Sequence, residues 1–167
     1  RDQQRQLPFA VMDLFSQTGL GGIRIPKQYG GAEVSNRTLA DVFRILSKAD
    51  ANIGLIPQNQ ISLLNIINII GNDSQKRFIF GEILSGSRLA NGGPERDTKD
   101  SKTLATTLTI ANNGYYLNGE KFYSTGSSFA DYLAIKALHP EGHVVLTIID
   151  KATTGVEVVD DWDGFGL

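Results

Sequence analysis

Four consecutive residues, Tyr123-Ser124-Thr125-Gly126, place an aromatic ring, two hydroxyls and a side-chain-free backbone in one short stretch. Hydroxyls and bare backbone at a strand tip are what the edge of a binding site needs, so this is the first candidate. A second is Asn91-Gly92-Gly93, an amide followed by approachable backbone in a polar connector, which either lines a ligand cleft between two halves of the chain or is a plain linker. A third is the amide run Gln58-Asn59-Gln60 beside Pro57, which either lies on the wet face of a helix or turns one of its amides into a ligand cavity. His139 and His143 flank a Pro-Glu-Gly turn; paired histidines are able to ligate a metal, but these read as an exposed hairpin tip, with no metal expected. Glu95 beside Arg96 reads as a solvated pair. No carboxylate stands out as a catalytic base.

The elements that must position these groups divide at about residue 88. In the first half, Phe9, Val11, Met12, Leu14 and Phe15 fall at near-helical spacing between Leu7 and Thr18, and Gly19 stops that helix. An extended segment with a turn at Gly30-Gly31 follows. Ser35 then caps a helix whose Leu39, Val42, Phe43, Leu46 and Ala49 form one buried face. The stretch from Ile53 to Ile70 is apolar on several faces, as the central helix of a bundle is, with Pro57 either starting or kinking it. Asp73 or Ser74 caps a last helix that ends at Ser85-Gly86.

After Leu89 the period changes to two. Strands are expected at Leu104 to Ile110, Tyr115 to Leu117, Glu120 to Ser124, Tyr132 to Leu138, Val144 to Ile149 and Val156 to Val159. Asn113-Gly114 and Asn118-Gly119 read as tight hairpin turns. The expected fold class is therefore α+β and multidomain. A helical bundle over 1–88 is followed by a small antiparallel β-barrel or sandwich over 89–167.

Sixteen basic against 18 acidic residues, a net charge of −2, leave no electrostatic footprint for nucleic acid or an anionic membrane. The chain has no cysteine, so disulfides and thiolate metal sites are excluded. Ser62, Asn65 and Asn68 interrupt the longest apolar run, short of the ~20 residues a membrane span needs, and a cytoplasmic location is expected by default. The first residue, Arg1, and the abrupt close at Leu167 lead us to expect a fragment.

The order of these motifs carries a resemblance. Gly22-Ile-x-Ile-Pro-x-x-Tyr-Gly-Gly31 in a helical half, then Leu117-Asn-Gly-x-Lys-x-Tyr-x-Thr-Gly126 and Ala130-Asp131 in a β half, resemble the acyl-CoA dehydrogenase superfamily over nearly the whole chain. The resemblance implies a helical N-terminal domain and a middle β-barrel, with the family's C-terminal four-helix domain absent here and the middle domain truncated. It also implies a flavin, FMN or FAD, with the Tyr123 ring against the isoalloxazine and the Thr125 hydroxyl near its reactive edge; filling the barrel core is the other reading of Tyr123. Ser124, Gly126 and Asn91 would complete the flavin contacts, and Asn59 would face the substrate or flavin pocket.

Where typical dehydrogenases have Thr-Glu-Pro and a Gly-x-Gly-Ser-Asp stretch, this chain reads Asn91-Gly-Gly-Pro-Glu-Arg-Asp-Thr-Lys99. With Ile56-Pro-Gln-Asn59 and Val158-Val-Asp-Asp-Trp-Asp-Gly-Phe-Gly166, that departure looks like the reduced-flavin monooxygenase branch, of the dibenzothiophene monooxygenase and sulfur-acquisition type. That branch implies FMNH2 from a separate flavin reductase, oxygen, and transfer of an oxygen atom to a small sulfur, nitrogen or aromatic compound. The alternatives are FAD-dependent acyl-CoA dehydrogenation and a non-catalytic two-domain scaffold. Full-length members of the superfamily are expected to be homo-oligomers whose decisive chemical groups come largely from the C-terminal domain.

Overall fold

The structure is a computed structural model, which describes residues 6–96, 98, 103–112 and 114–162. Four helices come first: α1 (Phe9–Gln17), α2 (Asn36–Ala49), α3 (Ala51–Ile70) and α4 (Asp73–Leu84). Local capping explains the starts of α2, α3 and α4. Ser35 Oγ accepts from Thr38 N at 3.1 Å and opens α2, and Asp50 Oδ1 accepts from Asn52 N and Ile53 N to open α3. The cap of α4 is Asn72 rather than Asp73 or Ser74: Asn72 and Gln75 exchange side-chain and backbone bonds, both at 2.9 Å, in a capping box.

Pro57 neither starts nor interrupts α3. It sits at the seventh residue of a continuous 20-residue helix, buried with Ile53, Ile56, Ile61, Leu63, Leu64 and Ile67. α3 is long and apolar enough to cross a membrane, but half of that stretch is buried inside this fold, as in the core helix of a soluble protein. α2 crosses it where Gly54 admits close approach, since a Cβ there would lie 2.0 Å from Ser47 Oγ. The predicted apolar stripe of α2 is only half-buried at Leu39, Val42, Phe43 and Leu46, and Ala49 is exposed. Between α1 and α2 the chain turns through two 3₁₀ turns instead of running extended, and Gly31 lies so close to Ile25 that a Cβ would come within 2.0 Å of its carbonyl oxygen.

The second half forms five strands: β1 (Leu89–Gly92), β2 (Thr107–Ala111), β3 (Gly114–Asn118), β4 (Tyr132–Leu138) and β5 (Val144–Asp150). The sheet is mixed, which corrects the antiparallel expectation. β4 pairs antiparallel with β5 from Tyr132↔Asp150 to Leu138↔Val144; its other edge takes β1 in parallel, Leu89↔Tyr132 to Gly92↔Ile135, and then β2 at Thr107↔Leu138. β2 and β3 form the predicted hairpin, of whose turn Asn113 lies outside the described residues. Among the described residues the sheet order is open, β1-β4-β2-β3 with β5 on the far side of β4, and no closed barrel is formed.

Three expectations about strands fail for identifiable reasons. β1 was read as connector because Leu-Ala-Asn-Gly has neither alternation nor β-branched residues; pairing with β4 makes it a strand. Residues 120–124 form no strand, since Tyr123 adopts a left-handed φ of 53° and Phe122 N finds a loop partner, Pro94 O, at 3.0 Å. Residues 156–159 form none either, although Val156 and Val158 pack on the sheet as their alternation requires.

The two halves share a core. Leu89 of β1 and Ala134 of β4 are buried in one cluster with Ile25, Leu63, Leu64, Ile67, Ile79, Phe80 and Ile83. Leu133 and Ile135 point to the opposite face, against Ala90, Ala130, Leu117 and Ile149, the period of two that a strand dictates. A boundary at 88/89 therefore cuts the chain where β1 enters that shared cluster.

Candidate functional site

The connector after β1 and the loop after β3 run side by side. Phe122 N donates to Pro94 O at 3.0 Å, and Lys121 Nζ donates to Gly93 O at 3.5 Å. A Cβ on Gly126 would lie 3.4 Å from Ile56 and 3.8 Å from Ala90, so the loop's end rests on α3 and β1. Asn91, Gly92 and Gly93 are thereby brought beside the 121–126 loop. Alternation along β1 puts Asn91 on the face that carries Leu89 toward α3.

This juxtaposition is held by a group that sequence reasoning misread. Glu95 is not solvated with Arg96: its side chain is 4% exposed and pairs with Lys121, itself 7% exposed. Glu95 also accepts from Thr106 Oγ1 at 2.6 Å, Thr106 N at 3.0 Å and Ala105 N at 2.6 Å. Burial pushes the Glu95 carboxyl upward, but the bonds from Lys121, Thr106 and Ala105 outweigh it and hold the pKa at about 2. Gly119 serves the same assembly. Its φ of 153° and the 2.4 Å that would separate a Cβ from Thr106 Oγ1 show a close approach, not the hairpin turn expected at Asn118-Gly119.

Freed of Glu95, Arg96 lies over the Phe122 ring at 4.2 Å and the Tyr123 ring at 5.3 Å. Trp162 meets Tyr123 edge-on, with centroids 6.5 Å apart. Tyr123 is 61% exposed, which excludes the core-filling reading of its ring. A bulky residue at positive φ is strained, and such strain concentrates at binding loops. The hydroxyls of Ser124 and Thr125 and the amide of Asn91 are half-buried and make no hydrogen bond among the described residues.

The amide run divides between surface and core. Gln58 is exposed and Asn59 is half-buried, its side chain making no hydrogen bond among the described residues. It is Gln60 that turns inward: 5% exposed, it donates to Gly21 O at 3.0 Å and accepts from Leu89 N at 3.0 Å. A single amide so fixes where β1 begins. The signal was present, since only one of three successive amides can share the face of Ile53, Ile56 and Leu64.

Two hollows lie near this constellation, the smaller of them reaching Gly126. One, of about 10 Å³ between Met12, Phe15, Ile56, Gln60 and Phe129, has room for no more than a water. The larger, about 230 Å³, opens beside Asp131, Asp150 and Lys151 and touches none of the predicted residues.

The family model for the acyl-CoA dehydrogenase N-terminal domain matches residues 1–87. The chain belongs to the acyl-CoA dehydrogenase family. Curated relatives extend the match through the sheet: 3-(aryl)acrylate reductase of Clostridium sporogenes is 28% identical over 99% of this chain and 46% of its own length. Dibenzothiophene monooxygenase of Mycolicibacterium goodii is 25% identical over 90% of the chain and 38% of its length. Among solved structures, FMN-bound TdsC from Paenibacillus sp. A11-2 superposes with a TM-score of 0.87 at 26% identity, over 98% of this chain and 42% of that one. The chain thus spans less than half the length of these relatives.

Proposed function

We propose that this chain supplies one wall of the flavin site of an oxidoreductase, with Asn91, Ser124, Thr125 and Gly126 as the flavin contacts and Tyr123 beside them. The observation that carries the reading is that Asn91 on β1 and Ser124 and Thr125 on the adjoining 121–126 loop are half-buried and make no side-chain hydrogen bond among the described residues. Neutral donors suit a flavin edge, because they stabilise developing negative charge without adding a titrating group. When bound, the flavin supplies the redox chemistry. The protein's part is to orient the ring: Gly126 lets backbone approach, Tyr123 offers an aromatic surface, and Glu95 with Lys121 sets the spacing between the two segments.

The reaction we favour is FMNH2- and oxygen-dependent monooxygenation of a small sulfur, nitrogen or aromatic compound, with a separate flavin reductase as partner. The dibenzothiophene monooxygenases among the relatives and the FMN in TdsC support it. So does Asn91-Gly-Gly-Pro94, where dehydrogenases carry Thr-Glu-Pro. A second reading, FAD-dependent oxidation or reduction of a CH–CH bond, draws on the 3-(aryl)acrylate reductase. Asn59, on α3 one turn from Ile56, is proposed to face the substrate side. The complete protein is proposed to be a cytoplasmic homo-oligomer, and these 167 residues alone to hold flavin weakly.

Spectral titration of the full-length protein with FMN, FAD and an aryl- or alkyl-acyl-CoA separates the two readings. Tight FMN binding with no bleaching by the acyl-CoA is expected. FAD that copurifies and bleaches on adding acyl-CoA ends the monooxygenase reading.

A further inference from the structure

We propose that the tip of the β4–β5 hairpin is a binding site for a divalent transition cation of the Zn2+ class, with His139, Glu141 and His143 as ligands. Their ligand atoms all lie within 4.8 Å of one another. The two imidazoles stack, with centroids 4.4 Å apart and planes 23° from parallel. Glu141 Oε2 stands 3.9 Å from His139 Nδ1 and 4.0 Å from His143 Nδ1, closing the third side of the group.

The backbone fixes this arrangement before any ion arrives. His139 N donates to His143 O at 2.8 Å, Gly142 N donates to His139 O at 2.8 Å, and Gly142 adopts the φ of 86° that the turn requires. Tetrahedral ligands at Zn2+ bond lengths sit roughly 3.4 Å apart, and because the lone pairs of two stacked rings run nearly parallel, closure takes rotation of both imidazoles about their side-chain torsions until their ring nitrogens converge. His139 Nδ1 accepts from Glu141 N at 3.3 Å, a long bond that a metal bond readily replaces.

Two imidazoles and a carboxylate, with a fourth position left for water, are a ligand set of open Zn2+ sites, and imidazole selects against Mg2+ and Ca2+. With both histidines neutral the group carries one negative charge. Glu141 and His143 are exposed, so an ion reaches it directly from solvent. The tip lies beyond Leu138, at the opposite end of β4 from Phe129 and the 121–126 loop, roughly 20 Å along the strand. The site is therefore separate from the proposed flavin wall, and its effect is to clip the hairpin that forms one edge of β4.

The test is titration of the untagged full chain with ZnCl2, followed by calorimetry and by the histidine ring signals in a carbon–proton NMR spectrum, with MgCl2 as control. The chain has only two histidines, so the spectrum holds two ring sets and both must move together. One Zn2+ per chain is expected, with affinity lowered at least about tenfold by His143→Ala, less by Glu141→Gln, and no response to Mg2+. Because His143 is exposed, its replacement leaves the fold intact. No binding at roughly millimolar Zn2+, unchanged affinity in His143→Ala, or movement of a single ring set overturns the proposal.

Discussion

Lys121 and Glu95 face each other in the interior with their side chains 7% and 4% exposed, and this one ion pair ties the connector after β1 to the loop that carries Tyr123. A buried pair adds little to stability over an apolar pair of the same shape, but a lone survivor is costly. Lys121→Met should destabilise the fold by about 3–5 kcal/mol by leaving the Glu95 charge stranded. Lys121→Met with Glu95→Gln, which removes the charge and keeps an acceptor for Thr106 and Ala105, should recover part of that loss. Urea denaturation of the two variants checks both.

Acid should weaken the fold through the same carboxyl. Glu95 ordinarily titrates at 4.5 and is held at about 2 in the folded chain. A depressed carboxyl contributes its stability above the unfolded value and loses it as pH falls through the folded one. Glu95 should therefore add a loss of stability between about pH 4.5 and pH 2, and Glu95→Gln should flatten the pH dependence in that window. Thermal melts at stepped pH measure it.

Gln60→Leu removes both partners of its clasp and strands Gly21 O and Leu89 N in the interior. Each stranded group costs about 1–3 kcal/mol. The drop should appear in chemical denaturation, and hydrogen exchange at Leu89 N should speed up more than at the centre of β4.

Two glycine substitutions should have opposite signs. Gly119→Ala forces a Cβ against Thr106 at a φ only glycine adopts easily, and should destabilise by about 1–3 kcal/mol. Gly81→Ala lies in α4 with nothing within 4 Å of the new methyl, and should stabilise by about 0.5–1 kcal/mol. Melting temperatures compared side by side decide it.

Asn91→Ala and Thr125→Ala remove side chains that make no hydrogen bond among the described residues. In the full-length protein each should weaken flavin binding about tenfold with unfolding midpoints unchanged, one lost hydrogen bond being worth roughly 1–1.5 kcal/mol. Fluorescence titration with FMN reports the first quantity and urea melts the second. Unaltered affinity in both variants removes these residues from the site.

What the amino-acid order determined by itself were the elements whose signals are local. Ser35 as a cap, the apolar run of α3, the hydroxyl-rich stretch at Tyr123-Ser-Thr125 and the short apolar runs of β4 and β5 are each read within a few residues, because caps and local patterns act over one or two turns. Only the tertiary structure decided which of these meet. β1 became a strand because β4 offered it an edge, Glu95 left its neighbour Arg96 for Lys121, and Gln60 rather than Asn59 turned inward. In each case the partner is at least 26 residues away in sequence, and a buried polar group must satisfy itself with whatever the fold brings within reach.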